Sequence, residues 1–246
     1  MKQHQAVIRV MEANGGYATL GFLYQQTLKV AGVEWKTKTP FASIRRIVQD
    51  ERFFFKIKPG LWALKSWRDR LPPEMILSKK ESDVQKDFSH TYYQGLLVQI
   101  GDLRGFETSV PAQDKNRIFL GTETLDSLTS VKEIYPFCYS NIVRCAKTID
   151  VIWFNSRKMP AWVFEVEHST DMKNSLIKFV ELQDFRTKMV IVADEARKSQ
   201  FQQVIFLSAF APIRGEVRFQ SYQQVSDEHS HLFKLKAVES NIYGSG

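Results

Sequence analysis

Three carboxylates sit inside apolar runs of this chain, and that placement narrows what it can fold into. Thr148-Ile149-Asp150-Val151-Ile152-Trp153-Phe154 and Ala161-Trp162-Val163-Phe164-Glu165-Val166-Glu167 are short, β-branched and aromatic, the pattern of largely buried strands. Residues 155–160 leave room for a turn between them. Side chains alternate along a strand, so Glu165 and Glu167 share a face, and a hairpin brings Asp150 beside them.

An ionised carboxylate buried without a partner neutralises or finds a cation, and three together also repel one another. A divalent metal resolves the conflict. Hard oxygen donors with little His or Cys nearby favour Mg²⁺, with Mn²⁺ able to substitute, over zinc. The alternative is that these acids pair with Lys or Arg on an exposed sheet face.

Asp150, Glu165 and Glu167 in this spacing resemble the PD-(D/E)XK nuclease superfamily, to which many restriction endonucleases belong. Asp150 matches the first acid, Glu165 the second and Val166 the variable position, while Glu167 stands where the usual Lys would be. Some restriction enzymes of the superfamily carry Glu there, but a lysine general base is lost, and Lys178 is left open as a replacement. The resemblance implies that Asp150, Glu165 and the main-chain carbonyl of Val166 hold the metal and that Glu167 orients the attacking water or completes a second metal site. The surroundings agree in order. Ser82 to Arg104 carries a helical apolar stripe ended by Gly105, and Phe106 to Val110 reads as a strand. After the two acidic strands, Thr170 to Phe185 reads as a helix and Lys188 to Ala193 as a strand. Helix, strand, strand, strand, helix, strand is the common core of that superfamily, a mixed sheet flanked by helices.

His90 and Gln94 lie four apart on one face of the first of these helices, where they could approach a scissile phosphate or a water on the metal, or could simply border the core. Glu107 is a weaker fourth acid. Ser169 or Thr170 is expected to cap the helix after the acidic strands.

The amino end has a different character. Residues 1–70 carry 13 Lys or Arg against 5 Asp or Glu, whereas residues 71–246 carry 21 against 22, so the basic surplus belongs to the first segment and points to a polyanion. Gln3 to Ala13, Leu20 to Val30 and Phe41 to Gln49 read as helices, the last launched by Thr39 as cap and Pro40 as first residue. Residues 52–57 and 61–65 flank Lys58-Pro59-Gly60 as a hairpin. Three helices and a basic hairpin make a winged helix-turn-helix. Thr39-Pro40, the helix to Asp50 and Phe53 to Leu64 resemble the HARE-HTH module, which occurs in chromatin proteins and fused to restriction endonucleases. Winged-helix geometry makes Arg45, Arg46, Lys56 and Lys58 the expected DNA contacts, with Lys36 and Lys38 next.

The expected division is a winged-helix DNA-binding domain over 1–70, a linker over 71–87 around Leu71-Pro72-Pro73, and an α+β or α/β nuclease domain over 88–246. Cys138 and Cys145 form no disulfide framework or zinc pattern and are expected as buried thiols; no run reaches the roughly 18 apolar residues of a membrane span. A cytoplasmic enzyme follows: a Mg²⁺-dependent endonuclease of type II restriction kind acting on double-stranded DNA. By its architectural resemblance to methylcytosine-requiring restriction enzymes, it would be one directed at modified DNA. Cutting both strands takes two active sites, which implies a homodimer on DNA. The alternatives are a non-catalytic DNA-binding regulator whose nuclease-like domain has decayed, and a repair nuclease that reads DNA structure.

Overall fold

The computed structural model describes residues 1–35, 37–76, 82–121, 123–168 and 171–243, with side chains to 239. The chain forms two compact units, Met1–Gln85 with Ser226–Gly246, and Lys86–Val225. This differs from the expected 88–246 domain in placing the last residues with the amino-terminal segment.

In the first unit, α1 (Gln3–Ala13), β1 (Tyr17–Thr19), α2 (Leu20–Gln26) and α3 (Pro40–Val48) precede a hairpin of β2 (Phe54–Lys58) and β3 (Leu61–Leu64). The sheet is antiparallel with order β1-β3-β2. Val7, Met11, Leu23, Ile44, Val48 and Phe54 meet in its core, so α3 buries the face that its apolar spacing marks and leaves Arg45 and Arg46 exposed. Gly16, at φ +87°, closes α1 with its N–H on the Met11 carbonyl (2.7 Å), and a Cβ there would stand 2.6 Å from the Trp67 ring. Two local expectations are corrected. The second helix is α-helical only to Gln26 and tightens into a 3₁₀ turn over Thr27–Lys29, a common way for a last turn to end. Thr39 does precede Pro40 at the first helical position but makes no side-chain cap; its hydroxyl faces Thr37 Oγ1 at 3.3 Å. Within 71–87, Leu71 and Met75 are buried, and residues 77–81 lie outside the described residues.

The second unit is built on a mixed sheet. It takes in most of α4 (Asp83–Leu103), then β4 (Glu107–Ser109), the small hairpin β5 (Ile118–Phe119) and β6 (Glu123–Thr124), and the short helices α5 (Leu125–Leu128) and α6 (Ser140–Ala146). Next come β7 (Val151–Phe154), β8 (Pro160–Glu167), α7 (Met172–Val180), β9 (Lys188–Ala193), α8 (Lys198–Ile205) and β10 (Val217–Ser221), and α9 (Tyr222–Tyr243) closes the chain. The strand order is β10-β9-β8-β7-β4, antiparallel from β4 to β8 and parallel from β8 to β10. The expected helix and strand order is present, with Ile118–Ala146 inserted between β4 and β7 and β10 added at the far edge. Cys138 and Cys145 are free but only half-buried, not the buried thiols expected.

Close packing fixes α4 against the sheet. A Cβ on Gly101 would lie 2.6 Å from both Thr108 Cγ2 and Trp153 Nε1, so only glycine permits this approach. Trp153 then donates to the Leu97 carbonyl at 3.0 Å, and Thr108 donates to Asp102 at 3.0 Å.

His229, on the part of α9 in the first unit, is fully buried against Phe233, and burial pushes its pKa down to about 3. Unfolded chain takes up that proton below the ordinary value of 6.5, whereas folded chain resists it down to about 3. Stability therefore falls as pH drops through this window. Urea midpoints of the wild type should decline more between pH 7 and pH 5 than those of His229→Leu; equal declines would place the proton uptake elsewhere.

Candidate active site

The antiparallel register pairs Val151 with Phe164 and Ile152 with Val163, so one further step sets Asp150 opposite Glu165. The Val166 N–H donates to Asp150 Oδ2 at 2.7 Å, which fixes the carboxylate at the head of β7. Asp150, Glu165 and Glu167 are 9%, 3% and 4% exposed. Asp150 thus stands at the strand end beside Glu165, with Glu167 two residues further along β8, but among the described residues the donor atoms of these three acids do not gather within 4.8 Å of one another.

Each acid is met by polar groups from another element. Lys178 of α7 donates to both oxygens of Glu165 at 2.9 Å and to the Thr148 carbonyl at 2.9 Å. The Ser175 hydroxyl, one helical turn earlier, lies 3.0 Å from Glu165 Oε2 and also hydrogen-bonds Glu167 Oε1. Arg197 Nη1 stands 3.7 Å from Glu167. Burial and then the Asp150 charge push the Glu165 pKa up to about 8, against the pull of Lys178 and Ser175. Burial works against the Lys178 cation, and Glu165 and Asp150 more than offset it, so its pKa rises. Tyr222 anchors the end of β8 by donating to the Glu167 carbonyl at 2.9 Å and stacking on Tyr93 of α4 at 3.9 Å.

From α4, His90 and Gln94 both reach this patch. Nδ1 of His90 lies 3.2 Å from the Val166 carbonyl, the oxygen expected to bind metal. Its Nε2 faces Asp150 Oδ1 at 3.6 Å and Asp114 Oδ2 at 3.9 Å. Burial disfavours the imidazolium, but hydrogen bonds and charge from Asp114 and Asp150 prevail and raise its pKa to about 10. Gln94 Nε2 donates to Asp114 Oδ2 (2.8 Å) and to the Asp150 carbonyl (3.2 Å). Glu107 is engaged by the Tyr135 hydroxyl at 3.1 Å.

With Ser175 and Arg197, Asp114 is a member that sequence reasoning missed. It is 3% exposed and ion-paired with Arg117 at 2.7 Å, yet it lies in a polar loop with no periodicity to mark it. Ser175 and Lys178 carried a readable signal, being three apart on one helix face. The cap of α7 is Asp171, whose side chain accepts from the Lys173 N–H at 3.1 Å; the expected caps Ser169 and Thr170 lie outside the described residues.

Of the expected DNA contacts, Arg45, Arg46, Lys38 and Lys56 are exposed and Lys58 is half-buried, and Lys36 lies outside the described residues. Arg45 is 3.8 Å from Asp227.

This geometry sets paired acids, hard oxygen donors by type, at the adjoining ends of two antiparallel strands in a mixed α+β unit. Residues 70–242 match the family model described as the C-terminal domain of the type II restriction enzyme NmeDI, and the chain belongs to that family. The type II restriction enzyme NmeDI of Neisseria meningitidis serogroup C is 31% identical over 134 residues, 50% of this chain and 38% of that protein. The aligned segment thus spans well under half the length of the relative. No solved structure matches significantly.

Ser175 offers one hydroxyl proton to two buried carboxylates. Ser175→Ala leaves acceptors unsatisfied and is expected to destabilise the protein by about 1–3 kcal/mol, read as a lower urea midpoint in EDTA; an unchanged midpoint would mean that Lys178 and Arg197 suffice.

Proposed function

We propose that this chain is a Mg²⁺-dependent DNA endonuclease of type II restriction kind, with a winged-helix reader at its amino end and a PD-(D/E)XK nuclease centre in its second unit. The observation that carries the reading is the register that sets buried Asp150 beside buried Glu165, with buried Glu167 joined to Glu165 through Ser175. Membership of a restriction-enzyme family supports it.

The donor set fits a hard divalent ion, since Asp150 and Glu165 present carboxylate oxygens from adjoining strand ends. Asp150 and Glu165 would hold Mg²⁺, for which Mn²⁺ can substitute, together with the Val166 carbonyl. Bound there, the ion supplies Lewis acidity toward the scissile phosphate and lowers the pKa of a water. Glu167 orients that water, and Lys178, 2.9 Å from Glu165, provides from α7 the positive charge that the strand lacks at position 167. Gln94, spent on Asp114 and the Asp150 carbonyl, acts as a positioning residue.

The reader is assigned to the first unit, where α3 exposes Arg45 and Arg46, the hairpin carries Lys56 and Lys58, and exposed Lys38 precedes α3, with Lys36 included by its place in the sequence alone. Residues 1–70 would read double-stranded DNA and the sheet-bearing unit would cut it in the cytoplasm, as a homodimer so that both strands are broken. A methylated-cytosine requirement is the finer form of this reading.

Incubating the protein with Mg²⁺ and one plasmid, unmodified or cytosine-methylated, should yield discrete fragments that Glu165→Ala abolishes while DNA binding persists. Cutting confined to methylated plasmid supports the modification-dependent form. Full activity in Glu165→Ala overturns the centre, and binding without any cutting favours the decayed regulator. Replacing Arg45 and Arg46 by Ala should reduce the magnitude of the salt slope of DNA binding by about two; an unchanged slope moves the phosphate contacts elsewhere.

A further inference from the structure

His90, Asp114 and Asp150 form a second cluster beside the proposed nuclease centre, sharing only Asp150 with it. One donor atom from each lies within 4.8 Å of the others, with Nε2 of His90 3.6 Å from Asp150 and 3.9 Å from Asp114. Ligand bonds of about 2.1 Å place neighbouring donors about 3 Å apart, so the triangle closes on a cation by contracting less than an ångström along its two His90 edges.

The groups behind the donors are already committed to holding them in place. The Nδ1 of His90 is turned to the Val166 carbonyl at 3.2 Å, which leaves Nε2 facing the carboxylates. Asp114 takes Arg117 on Oδ1 at 2.7 Å and Gln94 on Oδ2 at 2.8 Å. Asp150 takes the Val166 N–H on Oδ2 at 2.7 Å, leaving Oδ1 toward His90. His90 and Asp150 are thus oriented through their other atoms, as a metal site requires of its surroundings, while Asp114 is held on both oxygens, with Gln94 on the one that faces His90.

An independent observation comes from Gln94, which is 0% exposed. Its amide is aimed into the cluster, with Nε2 on Asp114 and on the Asp150 carbonyl, but Oε1 is buried with no hydrogen-bond partner among the described residues. A buried acceptor left without a donor is destabilising, and a water carried by a cation beside Asp114 would supply the donor it lacks.

We propose that His90, Asp114 and Asp150 bind a second divalent ion, of the Mn²⁺ class rather than Mg²⁺, with Asp150 shared between this site and the Asp150–Glu165 centre. The imidazole nitrogen sets the preference, because nitrogen donors suit Mn²⁺, Co²⁺ or Zn²⁺ better than Mg²⁺. Gln94 and Arg117 position Asp114 without touching the ion.

The test is metal binding by the untagged full chain without DNA, so it stands apart from whether the protein cuts. After stripping with EDTA, Mn²⁺ is added and its coupling to imidazole ¹⁴N is read by pulsed electron paramagnetic resonance. The wild type and Glu165→Gln should both show the nitrogen modulation, and His90→Gln should lose it. Asp114→Asn should weaken Mn²⁺ binding at this site at least tenfold. Modulation absent from the wild type, or undiminished in His90→Gln, overturns the site. Melting in EDTA checks that each variant folds. Should both ligand variants melt early, wild type and Glu165→Gln decide, since the latter keeps all three ligands: modulation in both supports the site and absence from both overturns it. A protein that cuts with Mg²⁺ yet shows no nitrogen coupling loses this site and keeps the nuclease reading, and the reverse result does the opposite.

Discussion

Burying Asp150, Glu165 and Glu167 at the ends of β7 and β8 is the constraint around which the second unit is arranged. An ion removed from water costs several kcal/mol even after relaxation, and attraction offsets this only with good geometry and satisfied hydrogen bonds. The chain answers from separate elements. Helix α7 turns Ser175 and Lys178 onto Glu165, the turn after β9 brings Arg197 toward Glu167, and α4 sets His90 against Asp150. Burial, and then the Asp150 charge, still outweigh these partners and hold the Glu165 pKa up at about 8.

Precision of that arrangement depends on packing remote from the acids. The small surface of Gly101 lets α4 reach Trp153 and Thr108, which fixes the helix that presents Gln94 and His90. At its other side the stack of Tyr93 on Tyr222 ties α4 to the residue that holds the Glu167 carbonyl. Side chains projecting from a helix and strands held in this way stay closer to one geometry than loop-borne groups would. Asp114 is the exception, borne on a loop, and it is tethered by Arg117 and Gln94 together.

Legibility in the sequence followed periodicity. Helix α4, strand β9 and the acidic hairpin stand close to where apolar spacing placed them, because burial of one face writes a period into the residues. The pairing of Asp150 with Glu165 was legible for the same reason, since a short turn leaves few registers. What carries no period was not legible. The insertion over Ile118–Ala146 consists of short elements and turns, and Asp114 becomes part of the site only through contacts 24 and 36 positions away along the chain, at His90 and Asp150. Caps failed in a different manner. Thr39 and Asp171 are both plausible caps by residue type, but the Thr39 hydroxyl is turned to Thr37 whereas the Asp171 carboxylate accepts from α7. Competition between local hydrogen bonds decides such cases, and residue type does not encode it.

The Glu at position 167 shows why a single position cannot be judged apart from its surroundings. A lysine there would stand where the Ser175 hydroxyl and Arg197 now meet a carboxylate, placing two cations together in a site from which water is largely excluded. Like charges at that separation repel strongly in low dielectric. With Lys178 already on Glu165, the positive charge enters from the helix and the strand can carry an acid instead. Under the proposed reading, charge of the sign that the superfamily's lysine brings is still present beside the second acid, but it comes from α7, and Arg197 and Ser175 make the acid at 167 tenable. Glu167, Lys178 and Arg197 therefore belong to one charge arrangement, although 30 positions separate the first from the last.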